Sequence, residues 1–232
     1  MNSANALLDT AAWVIPLLLA ITLHEAAHGW MANKFGDRTA RDLGRVSFNP
    51  FSHVDLYGTV LLPGLLLLAH SPILFGYAKP VPVNMSRLWP RRKGELCVAA
   101  AGPVVNILLA FASALLLHMD SVITPEQAPW IYMNLYRSVI INCTLAVFNM
   151  LPILPLDGGR VVHALLPEKE AMEWSRSERY GLLLVLALLF MPMFVGYNPL
   201  GVAVGKGSGA LVETVMLITG NGTLDIDEAT RN

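Results

Sequence analysis

Charge is scarce in this sequence. Charged residues make up 14% of the 232 residues, whereas an average soluble domain carries about 25%. The formal net charge is -1, and no basic face stands out beyond what membrane topology explains, so the sequence argues against a nucleic-acid partner. Hydrophobic residues reach 54% and the mean hydropathy is +0.52, which predicts an integral protein of the lipid bilayer.

Cysteine is almost absent as well. Cys97 and Cys143 both lie in apolar segments, where a small buried side chain is a better interpretation than a disulfide or a metal ligand. Residues 1–10 contain no lysine or arginine and no small-residue cleavage site, so we expect the first apolar segment to be retained. The sequence shows no internal repeat and no appended soluble domain, which predicts a single domain over residues 1–232.

Apolar segments of membrane-spanning length recur along the chain. The clear ones are residues 10–33, 96–118, 130–151 and 180–197, whereas residues 198–220 form either a last short span or a surface segment. We therefore predict an all-α polytopic membrane protein, a bundle of about five to six transmembrane helices. We expect a catalytic core over residues 10–160, C-terminal helices over 180–220 and a mobile acidic tail over 221–232.

Basic residues in the loops predict the orientation. The loop after the first helix, residues 34–55, contains four lysine or arginine residues, so the positive-inside rule places this loop in the cytoplasm and the N-terminus outside. The apolar residues 56–75 are interrupted by Pro63 and Gly64 and have basic residues on both flanks. This pattern favours a re-entrant or β-hairpin element that returns to the cytoplasmic side, with a full crossing as the alternative.

Three ionisable side chains, His24, Glu25 and His28, interrupt the first apolar run. A charged group at membrane depth costs at least about 2.5 kcal/mol, so such residues are functional candidates by default. Positions i and i+4 lie on one face of a helix, so His24 and His28 can meet one zinc ion while Glu25 reaches a water molecule beside it. The alternative is a pair of satisfied histidines in a soluble core, against which the composition argues.

The histidine pair needs a third ligand, because catalytic zinc usually takes three protein ligands and leaves one position for water. Topology favours Asp157, which follows a helix end among prolines and glycines on the side where the first helix also ends. Its alternative role is that of an ordinary turn aspartate before two glycines. The main rivals are His53 with Asp55, which could also line or orient the entrance. The full set of candidates is Asp157, Glu95, His53, Asp55 and His163.

Three polar residues are candidates for binding the substrate. Asn149 lies about two helical turns before Asp157 in an apolar helix, and Asn106 lies in another apolar span. Either amide could bond the substrate backbone or a developing oxyanion, or it could join two helices, which is the favoured alternative for Asn106. His53 comes just before the segment 56–75 and could line the entrance of the site.

Three sequence blocks together resemble the site-2 protease family of intramembrane zinc metalloproteases, peptidase family M50, in its compact bacterial or archaeal form. The first block is HEAAH at residues 24–28, and the second is G-x-x-x-N at residues 102–106. The third is N-x-x-P-x-x-x-x-D-G at residues 149–158. The three blocks occur in this order on separate apolar segments, which makes the resemblance specific.

The resemblance implies a role for each matching residue. His24, His28 and Asp157 would bind one Zn2+ ion, and the zinc would lie nearer the cytoplasmic face, as the charge pattern also predicts. Glu25 would activate the water, and Asn149 would help to hold the substrate strand. The chain departs from the family in having no apolar helix before the HEAAH span and a long interval between the first two blocks. It also lacks the PDZ and CBS domains of some members.

The predicted activity is cleavage of peptide bonds within or next to transmembrane helices of membrane-protein substrates. We expect this regulated intramembrane proteolysis in a cell membrane, the inner membrane of a bacterium being favoured. One alternative is a divalent-metal transporter that uses the same intramembrane His/Glu/Asp cluster, although Glu25 directly follows His24 and no second-half counterpart of the site exists. Another is an inactive scaffold for membrane helices, against which the intact HEAAH and Asp157 argue.

Overall fold

The computed structural model describes residues 3–53, 55, 61, 79–119 and 128–222. Regular structure within these residues is helical, with no strand among them, which confirms the predicted all-α class. The predicted re-entrant or hairpin element at residues 56–75 lies outside the described residues, apart from residue 61. The last ten residues of the predicted tail, 223–232, also lie outside them.

Eight α-helices occur in the described part of the chain. They are α1 (Ser3–Lys34), α2 (Thr39–Asp42), α3 (Arg91–Leu116), α4 (Pro129–Asn149), α5 (Asp157–Leu165), α6 (Glu168–Ser175), α7 (Glu178–Val195) and α8 (Pro199–Ile218). Two short 3-10 turns lie at Pro50–His53 and Met85–Arg87. Five of the helices, α1, α3, α4, α7 and α8, are long and apolar enough to span a membrane, which confirms the polytopic prediction.

The described helices differ from the predicted ones mainly at their ends. Helix α1 begins at Ser3, seven residues before the predicted start at residue 10. The open choice for residues 198–220 is decided in favour of a long helix, α8. The loop predicted after α4 contains two short helices, α5 and α6, of which α5 begins at Asp157. The first residue of α5 is therefore a candidate metal ligand.

Helix α3 is the central helix of the described bundle, since it packs against α1, α4, α5 and α8. Its buried residues are mostly small, and they include Ala99, Ala101, Gly102, Ala110 and Ala114. Small residues allow helix backbones to approach closely, which is how transmembrane helices gain packing energy when lipid is as apolar as their side chains. Gly102 is one of the small residues at which α3 makes such a close contact.

An apolar cluster joins α3, α4 and α8. Its members are Ala110, Ala114, Val139, Cys143, Val212, Val215 and Met216. Cys143 is fully buried in this cluster and both cysteines are free thiols, as expected for small hydrophobic side chains without a disulfide. The cluster packs the second half of α3 against α4 and α8.

Helix α8 runs antiparallel to α4. A Cβ atom added at Gly207, in the middle of α8, would lie 2.8 Å from Cγ1 of Val147, which is near the end of α4. The far end of α8 lies beside the end of α3, where Nε2 of His118 bonds the carbonyl oxygen of Thr219 at 2.6 Å. Helix α8 therefore carries the chain to the side at which α3 ends.

A buried carboxylate fixes the turn after α1. Gly36, two residues after the end of α1, has a φ of +102° that favours glycine, and the next residue, Asp37, has no exposed surface. Asp37 accepts hydrogen bonds from the backbone N–H and hydroxyl of Thr39, at 3.0 and 2.5 Å, and from the backbone N–H of Asn84 at 2.6 Å. Burial raises the pKa of Asp37, but these bonds outweigh it, so the pKa lies below its usual value.

Replacing Asp37 with Ala should destabilise the protein, because three donors lose their acceptor. We expect the free energy of unfolding in detergent micelles to fall by about 3 kcal/mol. Asp42→Ala, at an exposed position of α2, is the matched control and should change stability by less than about 0.5 kcal/mol. Equal stability of the two variants would contradict the role assigned to Asp37.

The same carboxylate predicts a pH dependence. Because the pKa of Asp37 is lower in the folded state than in the unfolded state, its stabilising contribution is complete above the unfolded value of about 3.9. The contribution is lost as the pH falls from there through the folded-state pKa. Thermal unfolding of the parent and Asp37→Ala chains should therefore differ at pH 7 and converge toward the acid end.

Candidate metal centre

Helix α1 presents two histidine rings on one face. His24 and His28 are one turn apart, their Nε2 atoms lie 3.0 Å from each other, and both residues are less than a tenth exposed. Asp157, the first residue of α5, places Oδ2 3.2 Å from Nε2 of His24 and Oδ1 3.4 Å from Nε2 of His28. The structure thus brings together the three residues that the sequence proposed as metal ligands.

The geometry of this group fits a zinc ion. Ligand atoms of His24, His28 and Asp157 all lie within 4.8 Å of one another, and it is the one such group found among the described residues. Tetrahedral ligands at 2.0–2.1 Å from zinc are separated by about 3.3 Å, close to the separations seen here. Oδ2 of Asp157 is buried and has no hydrogen-bond partner in the described structure, so a metal bond would satisfy it.

The two neighbouring imidazoles favour the ionised form of the Asp157 carboxyl group. Burial raises its pKa, but the neighbouring imidazoles of His24 and His28 outweigh that effect and hold the pKa at about 2. The group is therefore an anion at neutral pH, which is the form that binds metals.

Both imidazoles are oriented through their other ring nitrogen. Nδ1 of His28 lies 2.7 Å from the carbonyl oxygen of Val98, which can only accept, so this nitrogen donates and Nε2 keeps a free lone pair. Nδ1 of His24 lies 2.6 Å from Oδ1 of Asn106. Both partners belong to α3. Such outer contacts fix the orientation of metal-binding histidines and raise their basicity.

Gly102 leaves the space that the two rings occupy. A Cβ atom at this position of α3 would lie 2.5 Å from Cε1 of His24 and 2.5 Å from Nε2 of His28. Real side chains do not reach such distances, so any larger residue would displace the rings. The glycine of the G-x-x-x-N block is therefore required by the site, beyond its role in helix packing.

Two further glycines bring Asp157 to the histidines. Cβ atoms on Gly158 and Gly159 would collide with the backbone of the turn after α4, with the carbonyl of Met150 and, at 2.5 Å, with the carbonyl carbon of Ile153. Helix α5 can therefore fold back closely onto this turn only with glycine at both positions. The consequence is that its first residue is directed toward α1 and α3.

Glu25 follows His24 on α1 and is half-buried. Its Oε2 atom accepts a hydrogen bond of 2.7 Å from the backbone N–H of Val81. The side chain of Val81 packs on α1 at Gly29, where an added Cβ would lie 3.0 Å from its Cγ1 atom. The segment around Val81 therefore holds one oxygen of the Glu25 carboxylate, which leaves the other for chemistry.

The other candidates for the third ligand lie outside this group. Glu95 and His163 pair with each other, with 2.7 Å between Oε1 and Nδ1, in a separate cleft. His53 is buried and its Nε2 bonds the carbonyl oxygen of Ser47 at 3.1 Å. Asp55 has partners of its own and does not belong to the three-residue group. The structure therefore favours Asp157 over all four rivals.

Two of the residues proposed to contact substrate, Asn106 and His53, are buried in the structure. Asn106 has no exposed surface and bonds His24, Asn142 and the carbonyl of Ala20 inside the bundle, as in the alternative in which its amide joins helices. His53 is 2% exposed, and its proposed position at the entrance stays a prediction.

Asn149 remains a candidate substrate-binding residue. It is half-buried at the end of α4, and its amide donates to the carbonyl of Leu145 one turn back, at 3.1 Å. This bond lies within its own helix. The alternative interpretation had expected a bond that joins two helices. The oxygen of its amide is left for another partner.

Asn142 and Val81 were missed by sequence reasoning. Asn142 is a polar residue in an apolar span, which is the signal that the sequence displays for it. Val81 acts through its main chain, and its nearest sequence signal is the pair of prolines at positions 80 and 82. Main-chain donors leave no side-chain pattern by which they could be found.

Comparison with known proteins agrees with this geometry. The family model described as Peptidase family M50 matches residues 12–129 and 126–192, which together make up most of the chain. The chain belongs to peptidase family M50. This confirms the resemblance to site-2 proteases that three blocks of sequence indicated, and it is consistent with a multi-pass membrane protein. The matched residues include every member of the His24, His28 and Asp157 group.

Relatives of this M50 chain occur in bacteria and archaea. It is 36% identical over 184 residues to “Putative zinc metalloprotease YwhC” of Bacillus subtilis (strain 168), covering 78% of this chain and 80% of that protein. It is 26% identical over 176 residues to “Putative zinc metalloprotease Rip2” of Mycolicibacterium smegmatis, covering 75% and 65%. It is 24% identical over 157 residues to “Zinc metalloprotease MJ0392” of Methanocaldococcus jannaschii, covering 67% and 34%. No solved structure matches the chain.

Replacing Gly102 with Ala should disrupt the metal centre, because the new methyl group would occupy the space of both imidazoles. We expect the purified variant to retain little zinc by elemental analysis. Gly205→Ala in α8 is the matched control, since its methyl group would meet no described atom within 4 Å. Full zinc content in Gly102→Ala would show that the rings do not need this space.

Proposed function

We propose that this M50 protein is a zinc-dependent intramembrane endopeptidase that hydrolyses peptide bonds within or next to transmembrane helices of membrane-protein substrates. The observation that carries the proposal is the convergence of His24, His28 and Asp157 with separations of 3.0 to 3.4 Å. Glu25 on the same helix supplies a carboxylate next to this group. Two nitrogen donors, one carboxylate and a neighbouring base make up the equipment of a metallohydrolase.

The four residues divide into three metal ligands and one general base in the proposed mechanism. His24, His28 and Asp157 hold the zinc ion. When bound, zinc lowers the pKa of its water toward 7 and polarises the scissile carbonyl group. Glu25 takes the proton of the attacking water on its free carboxylate oxygen and passes it to the leaving amine. Its other oxygen stays bonded to the N–H of Val81, which keeps the carboxylate in place.

The proposed site lies below the cytoplasmic face of the cell membrane, with the N-terminus outside. The basic loop after α1 supports this orientation through the positive-inside rule. His28 lies six residues before Lys34 at the end of α1, a rise of about 9 Å, so water could reach the metal from that face. We favour the inner membrane of a bacterium, as the compact form of the family suggests.

Substrate helices must unwind locally before cleavage, because a helix buries its carbonyl groups in internal hydrogen bonds. An edge within residues 56–85 is the proposed partner that would hold the unwound strand extended. In the described part of that region the N–H of Val81 already bonds Glu25, and prolines at 80 and 82 have no N–H. Residues 80–82 therefore offer a neighbouring strand only carbonyl groups, which prevents a regular ladder there.

The replacement Glu25→Gln should separate metal binding from catalysis. We expect zinc content and thermal stability to match the parent chain, while cleavage of a reconstituted helical substrate falls at least about a hundredfold, because the general base is lost. His24→Ala and Asp157→Ala should lose zinc as well as activity. Full residual activity of Glu25→Gln would contradict the role of Glu25.

The backbone N–H of Val81 can be tested by removing it alone. Val81 lies between two prolines, so its backbone is already biased toward the extended conformation that proline accepts. We expect Val81→Pro to lower kcat about tenfold with zinc retained and KM little changed, since a hydrogen bond to a charged group is lost. Val81→Ala keeps the N–H and should retain the parent kcat. Equal kcat values for the two variants would contradict the proposal that the N–H of Val81 positions Glu25.

A further inference from the structure

A chain of buried polar side chains leads from the metal centre into the bundle. It begins at His24 and continues through Asn106, whose Nδ2 donates to Oδ1 of Asn142 at 2.8 Å. Nδ2 of Asn142 donates to the carbonyl oxygen of Ser138 at 2.9 Å, and the hydroxyl groups of Ser138 and Ser113 lie 2.8 Å apart. Asn106 and Asn142 are 0% and 1% exposed, so the chain crosses α1, α3 and α4 away from solvent.

The amide of Asn106 decides which nitrogen of His24 carries the hydrogen. With Oδ1 facing the ring, Nδ1 of His24 must donate, and the lone pair of Nε2 is directed toward Asp157 and His28. If the amide turned over, its NH2 group would donate to Nδ1, and the ring hydrogen would move to Nε2. That hydrogen would then point into the metal centre and block coordination.

Acceptors on the far side of Asn106 prevent this turn. Its Nδ2 faces the carbonyl oxygen of Ala20 at 3.3 Å and Oδ1 of Asn142 at 2.8 Å, and neither atom can donate. Asn142 is itself fixed, because its Nδ2 faces the carbonyl oxygen of Ser138, which accepts only. A turned amide at Asn106 would place two acceptors against its oxygen, which is costly in a dry interior.

We propose that Asn142 of α4 is a positioning residue for the metal centre, which holds the amide of Asn106 in the orientation that directs the lone pair of His24 Nε2 to zinc. This inference rests on the proposed role of His24 as a zinc ligand. Asn142 touches neither the metal group nor the substrate. It acts through two hydrogen bonds, and its location links α4 to the contact between α1 and α3.

Zinc affinity of three variants tests this role in the full-length chain, with a chelator competing for zinc in detergent micelles. Asn142→Leu keeps the branched shape of the side chain and loses the acceptor, so we expect zinc to bind about 10- to 100-fold more weakly. Asn142→Asp keeps an oxygen that accepts from Asn106 and should bind zinc nearly as tightly as the parent chain. Asn134→Leu, at an α4 asparagine that bonds the Trp130 carbonyl of its own helix, should leave affinity unchanged.

A packing role would give the reverse order, because buried leucine is tolerated in an apolar helix and buried aspartate is not. Equal affinity of Asn142→Leu and the parent chain, or an equal loss in Asn142→Asp, would overturn the inference. If Asn142→Leu is not monodisperse, Asn142→Ala takes its place in the same comparison. His24→Ala is measured in parallel, since unchanged affinity there would refute the ligand assignment itself, separately from the role of Asn142.

Discussion

The contact between α1 and α3 at Gly102 is the constraint on which the site depends. Two imidazoles lie directly against this residue, in space that any Cβ atom would fill. The same helix α3 supplies both outer partners of the rings, the carbonyl of Val98 and the amide of Asn106. Helix α5, which begins with Asp157, also packs on α3. The third ligand and both imidazoles are therefore positioned by the same helix.

Burial inside the helix bundle explains why the polar residues are so fully connected. Lipid offers no hydrogen bonds, so an unpartnered polar group inside the bundle costs several kcal/mol. His24, Asn106 and Asn142 satisfy one another, and the partnerless buried oxygen of Asp157 marks where a metal bond belongs. Glu25 differs, since it is half-buried and bonded through one oxygen to a main-chain N–H, an arrangement suited to taking and releasing a proton.

The sequence predicted the parts of the site that depend on periodicity and on the side of the membrane. His24 and His28 follow from helical spacing, and Asp157 follows from its place after a helix that ends on the same side. Hydrogen-bond partners depend instead on how helices rotate against each other, so the sequence left Asn106 open between contacting substrate and joining helices, with joining helices favoured, and it did not single out Asn142. The short helices after α4 were also missed, because their residues resemble a charged loop.

X-ray absorption at the zinc edge of the full-length, zinc-loaded protein tests the central claim most directly, since it reports the atoms bound to the metal. The account predicts four nitrogen or oxygen ligands at about 2.0–2.1 Å and the outer-shell scattering of two imidazole rings, from His24 and His28. A sulfur ligand at about 2.3 Å, or scattering from a single imidazole ring, would contradict the metal centre described for this protein.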